Sequence, residues 1–223
     1  RIPEYDTYGG DFLSNGKLLL AINNNLRMKL ILCNIDGVLT EKKLSGSPWG
    51  VCCFGENEVL VTLPDEKKVL RLNSDSLDIK ETVPLECKCY GIATSGNITV
   101  IGTRDSVVMF SGGLEERRRT TLSSDLSNTD DVALDDEDNV IYSSYLKHIV
   151  RKQDMAGNIL FSYTHEKLEK PFGLAVNIYG EIFVGGFASN NIHILSRSCL
   201  LYTSDAADDM QCVDLGGRRI IKK

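Results

Sequence analysis

Three histidines, one four-residue acidic run and seven cysteines are the side chains in this sequence that could do chemistry. His148, His165 and His193 are candidate general bases or metal ligands. Asp135-Asp136-Glu137-Asp138 is a candidate cation loop, and Asp130, Asp131 and Asp135 could act together as the acidic ligands of a metal-dependent hydrolase. Each pattern lacks something the chemistry requires. A calcium loop alternates its acidic ligands and closes with a distant bidentate Glu, which this run does not do. A metal-bound imidazole needs an oriented partner on its other nitrogen. His148 and His193 instead recur 45 positions apart on the same repeated strand, which favours strand-surface histidines. The acidic run is read as a solvated turn. No G-x-S-x-G elbow or phosphate loop is present. The cysteines (33, 52, 53, 87, 89, 199 and 212) are odd in number and include no C-x-x-C, and Cys87-Lys88-Cys89 is too tight for a zinc knuckle. Buried thiols in a reducing cytosol account for them. The chain is therefore expected to carry no catalytic site, no metal and no cofactor, and to be cytoplasmic.

Composition narrows the partners. With 42% hydrophobic and 25% charged residues in 223, the chain can bury a core and remain soluble. A net charge of −6 argues against non-specific binding to nucleic acid or anionic membrane. Arg117-Arg118-Arg119 is balanced by Glu115 and Glu116 and reads as a solvated turn. No apolar run nears the roughly 20 residues of a membrane span. The opening "RIPEYDTYGGDF" has neither a Met nor an apolar leader core, so a fragment of a longer protein is expected. Asn97-Ile98-Thr99 has the form of a glycosylation sequon but sits at a Gly96-Asn97 hairpin turn.

The elements that must position any site are set by an internal repeat. "PWGVCCF", "CYGIATS", "DDVALDD" and "PFGLAVN" place Gly50, Gly91, Asp131 and Gly173 at intervals of 41, 40 and 42, and Gly9 of "GGDFLSN" lies 41 before Gly50. A second apolar strand follows each start, with Leu19, Leu60, Val100, Ile141 and Phe183 in the same phase, and each is preceded by hairpin residues. A third strand comes next, as in "KKVLRLN", and a more polar fourth, as in "DIKETVP". Four strands per unit of about 41 residues is the period of a propeller blade. The expectation is an all-β propeller of four-stranded blades with five repeats visible, the inner strand of each lining a central channel.

"PFGLAVNIYGEIFVGGFASNNIHILS" resembles an NHL-type repeat, and "SPWGVCCFGENEVLVTLPDEKKVLRL" with "CKCYGIATSGNITV" resembles the C-terminal propellers of invertebrate tripartite-motif (TRIM-like) proteins. The resemblance covers about residues 8 to 198, and blade four departs from it where Asp130-Asp131 replaces x-Gly. It implies a six-bladed ring, of which this chain would hold an incomplete part. It also implies a partner-recruiting role within a protein whose RING domain, where present, carries ubiquitin-ligase activity and whose coiled coil would oligomerise it. Neither a RING nor a coiled coil is in this sequence.

What remains is a binding surface. The residues preceding each inner strand should ring one channel mouth: Trp49, Tyr90, Asp130 and Phe172. The loops between strands two and three should share that face, bringing Arg104, Tyr145, Phe187 and Asn190. Exposed aromatics with a polar rim suit recognition of a protein. Two roles stay open for Trp49 and Phe172, each beside a proline: sealing blade contacts or meeting a partner. A protein-recruiting propeller is the leading reading. Single-stranded RNA on the same face is the alternative, and a metal-dependent propeller hydrolase comes third.

The last segment, "CLLYTSDAADDMQCVDLGGRRIIKK", breaks the grid after "NNIHILSRS". Back-translated, residues 199–223 resemble the read-through of a transposase-type short-read library adapter. The domain reading is accordingly 1–198 for the propeller and 199–223 for a non-native tail, which leaves five native cysteines.

Overall fold

Inner-strand spacing and hairpin turns translate directly into sheets. A computed structural model describes residues 7–24, 27–112, 114, 119–123, 129–198 and 213–214. Blade one is β1 (Thr7–Phe12), β2 (Leu18–Asn24), β3 (Arg27–Asn34) and β4 (Gly37–Lys43). Blade two is β5 (Val51–Phe54), β6 (Glu58–Leu63), β7 (Lys68–Asn73) and β8 (Ile79–Pro84). Blade three is β9 (Cys89–Ser95), β10 (Ile98–Thr103), β11 (Val107–Ser111) and β12 (Arg119–Ser123). Blade four is β13 (Thr129–Leu134), β14 (Val140–Ser144), β15 (Ile149–Gln153) and β16 (Ile159–Tyr163), and blade five is β17 (Pro171–Val176), β18 (Ile182–Gly186) and β19 (Asn191–Leu195). Every sheet is an antiparallel meander, and a two-residue strand, β20 (Val213–Asp214), pairs with the outer edge of blade four. The expected all-β propeller is thus present as five blades around one channel. The sixth blade implied by the resemblance has no counterpart among the described residues. Arg117 and Arg118, and the tail apart from β20, lie outside them.

Blades hold together by face-to-face packing of alternating apolar residues. Leu19, Ala21, Leu30 and Leu32 of blade one meet Val59, Val61, Leu70 and Leu72 of blade two, all with 2% exposure or less. Similar clusters join blades two and three, three and four, and four and five. Outer strands carry the charge, as β8 shows with five of its six residues exposed. Cys33, Cys52 and Cys89 are buried free thiols inside these sheets, in keeping with a packing role.

The inner strands come closer than side chains allow. A Cβ on Gly50 would stand 2.6 Å from the Tyr90 carbonyl oxygen, and one on Gly91 2.5 Å from the Asp131 Cα; Gly9 is crowded in the same way by the Trp49 carbonyl. Side-chain hydroxyls continue the stacking. Thr62 Oγ1 donates to the Tyr90 carbonyl at 2.5 Å and Ser143 Oγ to that of Phe172 at 2.8 Å.

Two expectations about polar residues need correction. Asp135 is not a solvated turn residue: it is 6% exposed and pairs with the buried Lys152 at 2.7 Å. Only Asp136 and Glu137 of that run face solvent, where Arg197 of blade five bridges them at 2.5 and 2.7 Å. His193 is not a surface histidine either, because its position on β19 turns it toward blade four. It is 7% exposed, and its Nδ1 lies 2.7 Å from the Tyr163 hydroxyl. His148 does lie on the surface, at a left-handed turn position (φ 52°) before β15.

The crowding sorts the glycines. Gly50→Ala should cost about 1–3 kcal/mol because the obstructing atoms are backbone that cannot yield. Gly173, the equivalent residue of blade five, has nothing within 4 Å of a built Cβ, so Gly173→Ala should leave stability unchanged. Thermal denaturation of dilute protein compares the two.

Candidate functional site at the channel mouth

Each residue just before an inner-strand start is delivered to the same end of the channel. Tyr8, Trp49, Tyr90, Asp130 and Phe172 precede Gly9, Gly50, Gly91, Asp131 and Gly173. Trp49, the sole tryptophan, is the hub. Its ring lies 4.7 Å from that of Tyr8, 5.2 Å from Tyr90 and 5.5 Å from Phe172, centroid to centroid. Its indole N–H donates to the Asp130 carbonyl at 3.2 Å. One side chain of blade two therefore touches the other four blades.

The cluster continues outward over blades four and five. Phe172 contacts Tyr145 and Phe187 at 6.5 and 6.2 Å, and those two rings are 6.0 Å apart. Lys170 places its ammonium 4.9 Å from the Tyr145 ring centre, a cation–π contact. Phe187 is 66% exposed, whereas Trp49, Tyr90, Tyr145 and Phe172 are half-buried. The backbone N–H of Phe187 donates to the Lys170 carbonyl at 3.0 Å, which ties the two loops together.

Of the eight residues singled out from sequence, Trp49, Tyr90, Phe172, Tyr145 and Phe187 converge into one aromatic surface. Arg104 is exposed on the β10–β11 turn, and Asn190 is exposed on the β18–β19 turn with φ 52°. Burial pushes the Tyr90 hydroxyl above its ordinary range, partly offset by the positive charges of Lys88 and Arg104. Asp130 is buried beneath the rings, its carboxylate accepting the Tyr145 N–H at 2.8 Å, so it braces the mouth and does not line its surface. Tyr8 was legible one period before Trp49, 41 positions earlier, and was not selected. Lys170 has no periodic signal: it owes its place to the Phe187 loop.

Below the rings the inner strands enclose a channel cavity of about 310 Å³, with Asp11, Cys53, Thr94 and Asp131 on its wall. Its carboxylates are structural. Asp11 accepts the Cys53 N–H at 2.9 Å, and Asp131 accepts those of Val132 and Leu174 at 2.9 and 2.8 Å. Thus Asp131, which replaces glycine, clamps blade four to blade five. Asp130, Asp131 and Asp135 do not converge, and no group of three or more metal-ligating side chains occurs among the described residues.

No protein-family model and no curated protein matches this sequence. Solved structures match the fold. Streptogramin B lyase aligns with a TM-score of 0.70 at 14% identity, covering 90% of this chain and 69% of that one. A chain of a nidogen/laminin complex aligns at 0.74 and 12%, covering 89% and 78%. The WD40 propeller of Doa1 aligns at 0.64 and 13%, covering 82% and 61%. Likeness at these identities establishes the propeller of this chain and leaves its activity and partners open.

The buried carboxyls give the site a pH signature. Burial pushes Asp131 up to about 7, against its two N–H donors, and Asp130 up to about 6. The folded state then holds protons that the unfolded chain releases near pH 3.8. Stability from these groups should rise as pH falls from 8 toward 5. His193 acts in the opposite sense: burial first and the charge of His165 second lower its pKa, so protonation below about 6.5 disfavours the fold. Unfolding midpoints measured between pH 8 and 6.5 should increase in the parent chain, and Asp131→Asn should flatten that rise.

Proposed function

We propose that this chain is a non-catalytic recognition propeller whose aromatic mouth binds a protein partner. The observation that carries the reading is the continuous aromatic surface from Tyr8 through Trp49 and Phe172 to the exposed Phe187. Large rigid rings with a polar and charged rim have the composition of an interaction hot spot. Lys170 and Arg104 add positive charge at that rim, within a chain of net charge −6.

The resemblance of the blade motifs supports placing this module in a TRIM-like protein. There it would recruit a partner or substrate in the cytoplasm, with any ubiquitin-ligase chemistry residing in another domain. The rings of Tyr145 and Phe187, with Lys170 beside them, are of the kind on which bases stack, which makes single-stranded RNA the second reading. The lyase among the fold neighbours is an enzyme; in this channel Asp131 gives both carboxylate oxygens and Asp11 one to backbone N–H groups, which argues against the metal-dependent hydrolase reading.

Trp49 is an intrinsic reporter of the site. Proteins retained by the immobilised wild-type chain should be lost on Phe187→Ala or Tyr145→Ala, with unchanged unfolding midpoints, and the retained partner should shift Trp49 fluorescence. Trp49→Ala, by contrast, should lower stability by about 3 kcal/mol, as expected for a large ring truncated within a packed cluster. Retention that is indifferent to both loop substitutions would sink the site. Shift of a random single-stranded RNA at physiological salt, lost in the same variants, would transfer the assignment to RNA.

A further inference from the structure

All three histidines meet at the junction of blades four and five, around residues 165–170, which connect β16 to β17 and lead into Pro171 and Phe172 of the mouth. Each ring spends a nitrogen as a hydrogen-bond acceptor. His165 Nδ1 accepts the Lys167 N–H at 3.0 Å, and His148 Nδ1 accepts the Lys170 N–H at 3.4 Å. Asn191 Nδ2 donates to the Lys167 carbonyl at 2.6 Å and meets His193 Nε2 at 3.2 Å, while its amide oxygen takes the Ser189 hydroxyl at 2.6 Å. The carbonyl and the hydroxyl fix the direction of that amide. His193 Nε2 is therefore an acceptor, and the proton of the neutral ring sits on Nδ1, 2.7 Å from the Tyr163 hydroxyl. An imidazolium has no acceptor nitrogen. Protonation of any of the three rings would set an N–H against an N–H.

The same connection holds the outer part of the mouth. Its Lys170 carbonyl accepts the Phe187 N–H at 3.0 Å and its Glu169 carbonyl the Ala188 N–H at 3.2 Å, while the Glu169 N–H donates to Ser189 Oγ at 3.1 Å. Lys170 itself sits in the left-handed region, at φ 53°, immediately before Pro171, where the backbone strongly prefers to be extended. A strained residue of this kind keeps its conformation only while its surroundings hold it. Leu168 is buried and anchors the segment by packing, whereas Glu166, Lys167 and Glu169 are exposed. The charged and titratable groups around the rings are Lys147 on the β14–β15 turn, Tyr163 on β16, and Glu166, Lys167, Glu169 and Lys170 on the connection. The ammonium groups outnumber the carboxylates among them, and the His165 and His193 rings are only 5.1 Å apart, so positive charge on one ring opposes it on the other. Burial first, and the charge of His165 second, already lower the proton affinity of His193.

We propose that residues 165–170 form a pH-sensitive strap: neutral histidines hold it closed and keep Lys170 and Phe187 in place at the mouth, and protonation of the rings loosens it and lowers the affinity of the mouth for its partner. The inference rests on the mouth as the binding site and adds its regulation. Linkage sets the sign. An imidazole ordinarily titrates near pH 6.5, so the stabilisation of the closed strap is complete above that value and is lost below it. Each ring that must stay neutral in the closed strap opposes closure by up to about tenfold per pH unit below its titration. Leu168 keeps the segment attached, so the strap loosens at its two ends without leaving the blade junction.

Hydrogen–deuterium exchange of the chain, read by mass spectrometry at pH 7.5 and 5.5 and corrected for intrinsic rates, tests the strap without a partner. Protection of residues 165–170 and 187–191 should fall by about tenfold or more at the lower pH, while β6 and β7 keep theirs. His148→Asn combined with His165→Asn offers an amide oxygen near each Nδ1 position that accepts without titrating. Neither position is in the packed core, and the double variant should cut the loss of protection by about tenfold or more. Equal protection at the two pH values, or equal loss in wild type and double variant, would overturn the strap. Proteins retained by the immobilised wild-type chain at pH 7.5 should be released at pH 5.5 and held by the double variant. Release from both alike would overturn the coupling of strap to mouth. A chain that retains nothing at pH 7.5 overturns the binding reading, and with it the functional half of this proposal, while the exchange result still decides the strap.

Discussion

Close stacking of inner strands is the constraint from which the rest of this molecule follows. Where Gly50 and Gly91 start their strands, the next blade's backbone occupies the space a side chain would need. Such an approach fixes the rotation between blades and brings hydroxyls such as Thr62 within reach of the neighbouring carbonyls. It also fixes phase. Once a glycine is pinned against the following blade, the residue before it must emerge at the channel mouth and the residues after it must alternate between the two packed faces. The repeat of about 41 residues is the sequence record of that pinning.

The mouth is a direct product of the same geometry. Five pre-glycine positions converge, and four of them are aromatic, so the channel ends in rings. Blade four is the exception, and its substitution is informative. Asp131 cannot leave the space empty as glycine does, so its Cα and Oδ1 fill the position facing Gly91 while both carboxylate oxygens take backbone N–H groups. The neighbouring Asp130 then supplies a carbonyl to Trp49 and a carboxylate to Tyr145. An acidic pair in an apolar ring is costly to keep ionised, and the raised proton affinity of both groups expresses that cost. The departure from the repeat thus locks the aromatic hub to blade four at the expense of a pH-sensitive joint.

What the sequence revealed follows the repeat closely. Strand order, blade phase and the positions of Trp49, Tyr90, Tyr145, Phe172 and Phe187 were readable because each lies at a fixed phase of the repeat. Residues off that grid were misread. Asp135 reads as solvent-exposed from its acidic neighbours, yet Lys152, two strands away, draws it into a buried pair. His193 reads as a surface residue by its strand position, but its partner Tyr163 comes from the preceding blade. Both errors concern side chains whose partners lie on another strand, two strands away in the same blade for Asp135 and in the preceding blade for His193, and no local pattern encodes which partner that is. Tyr8 is a different kind of omission, since its signal was present one period upstream of Trp49.

The dipeptide Phe172-Gly173 shows how the two surfaces of the molecule meet. Its ring belongs to the aromatic mouth, touching Trp49, Tyr145 and Phe187, while its glycine forms the floor of the open face of blade five. At blades one, two and three the corresponding glycine is held against the next blade, and the ring before it sits at a backbone fixed by that contact. At blade five the contacts of the ring among the described residues come from the mouth side. Preorganised rings lose less freedom when a partner arrives. Trp49, packed on three rings and tied to the Asp130 carbonyl, is fixed in advance, whereas Phe187 is 66% exposed and keeps its freedom.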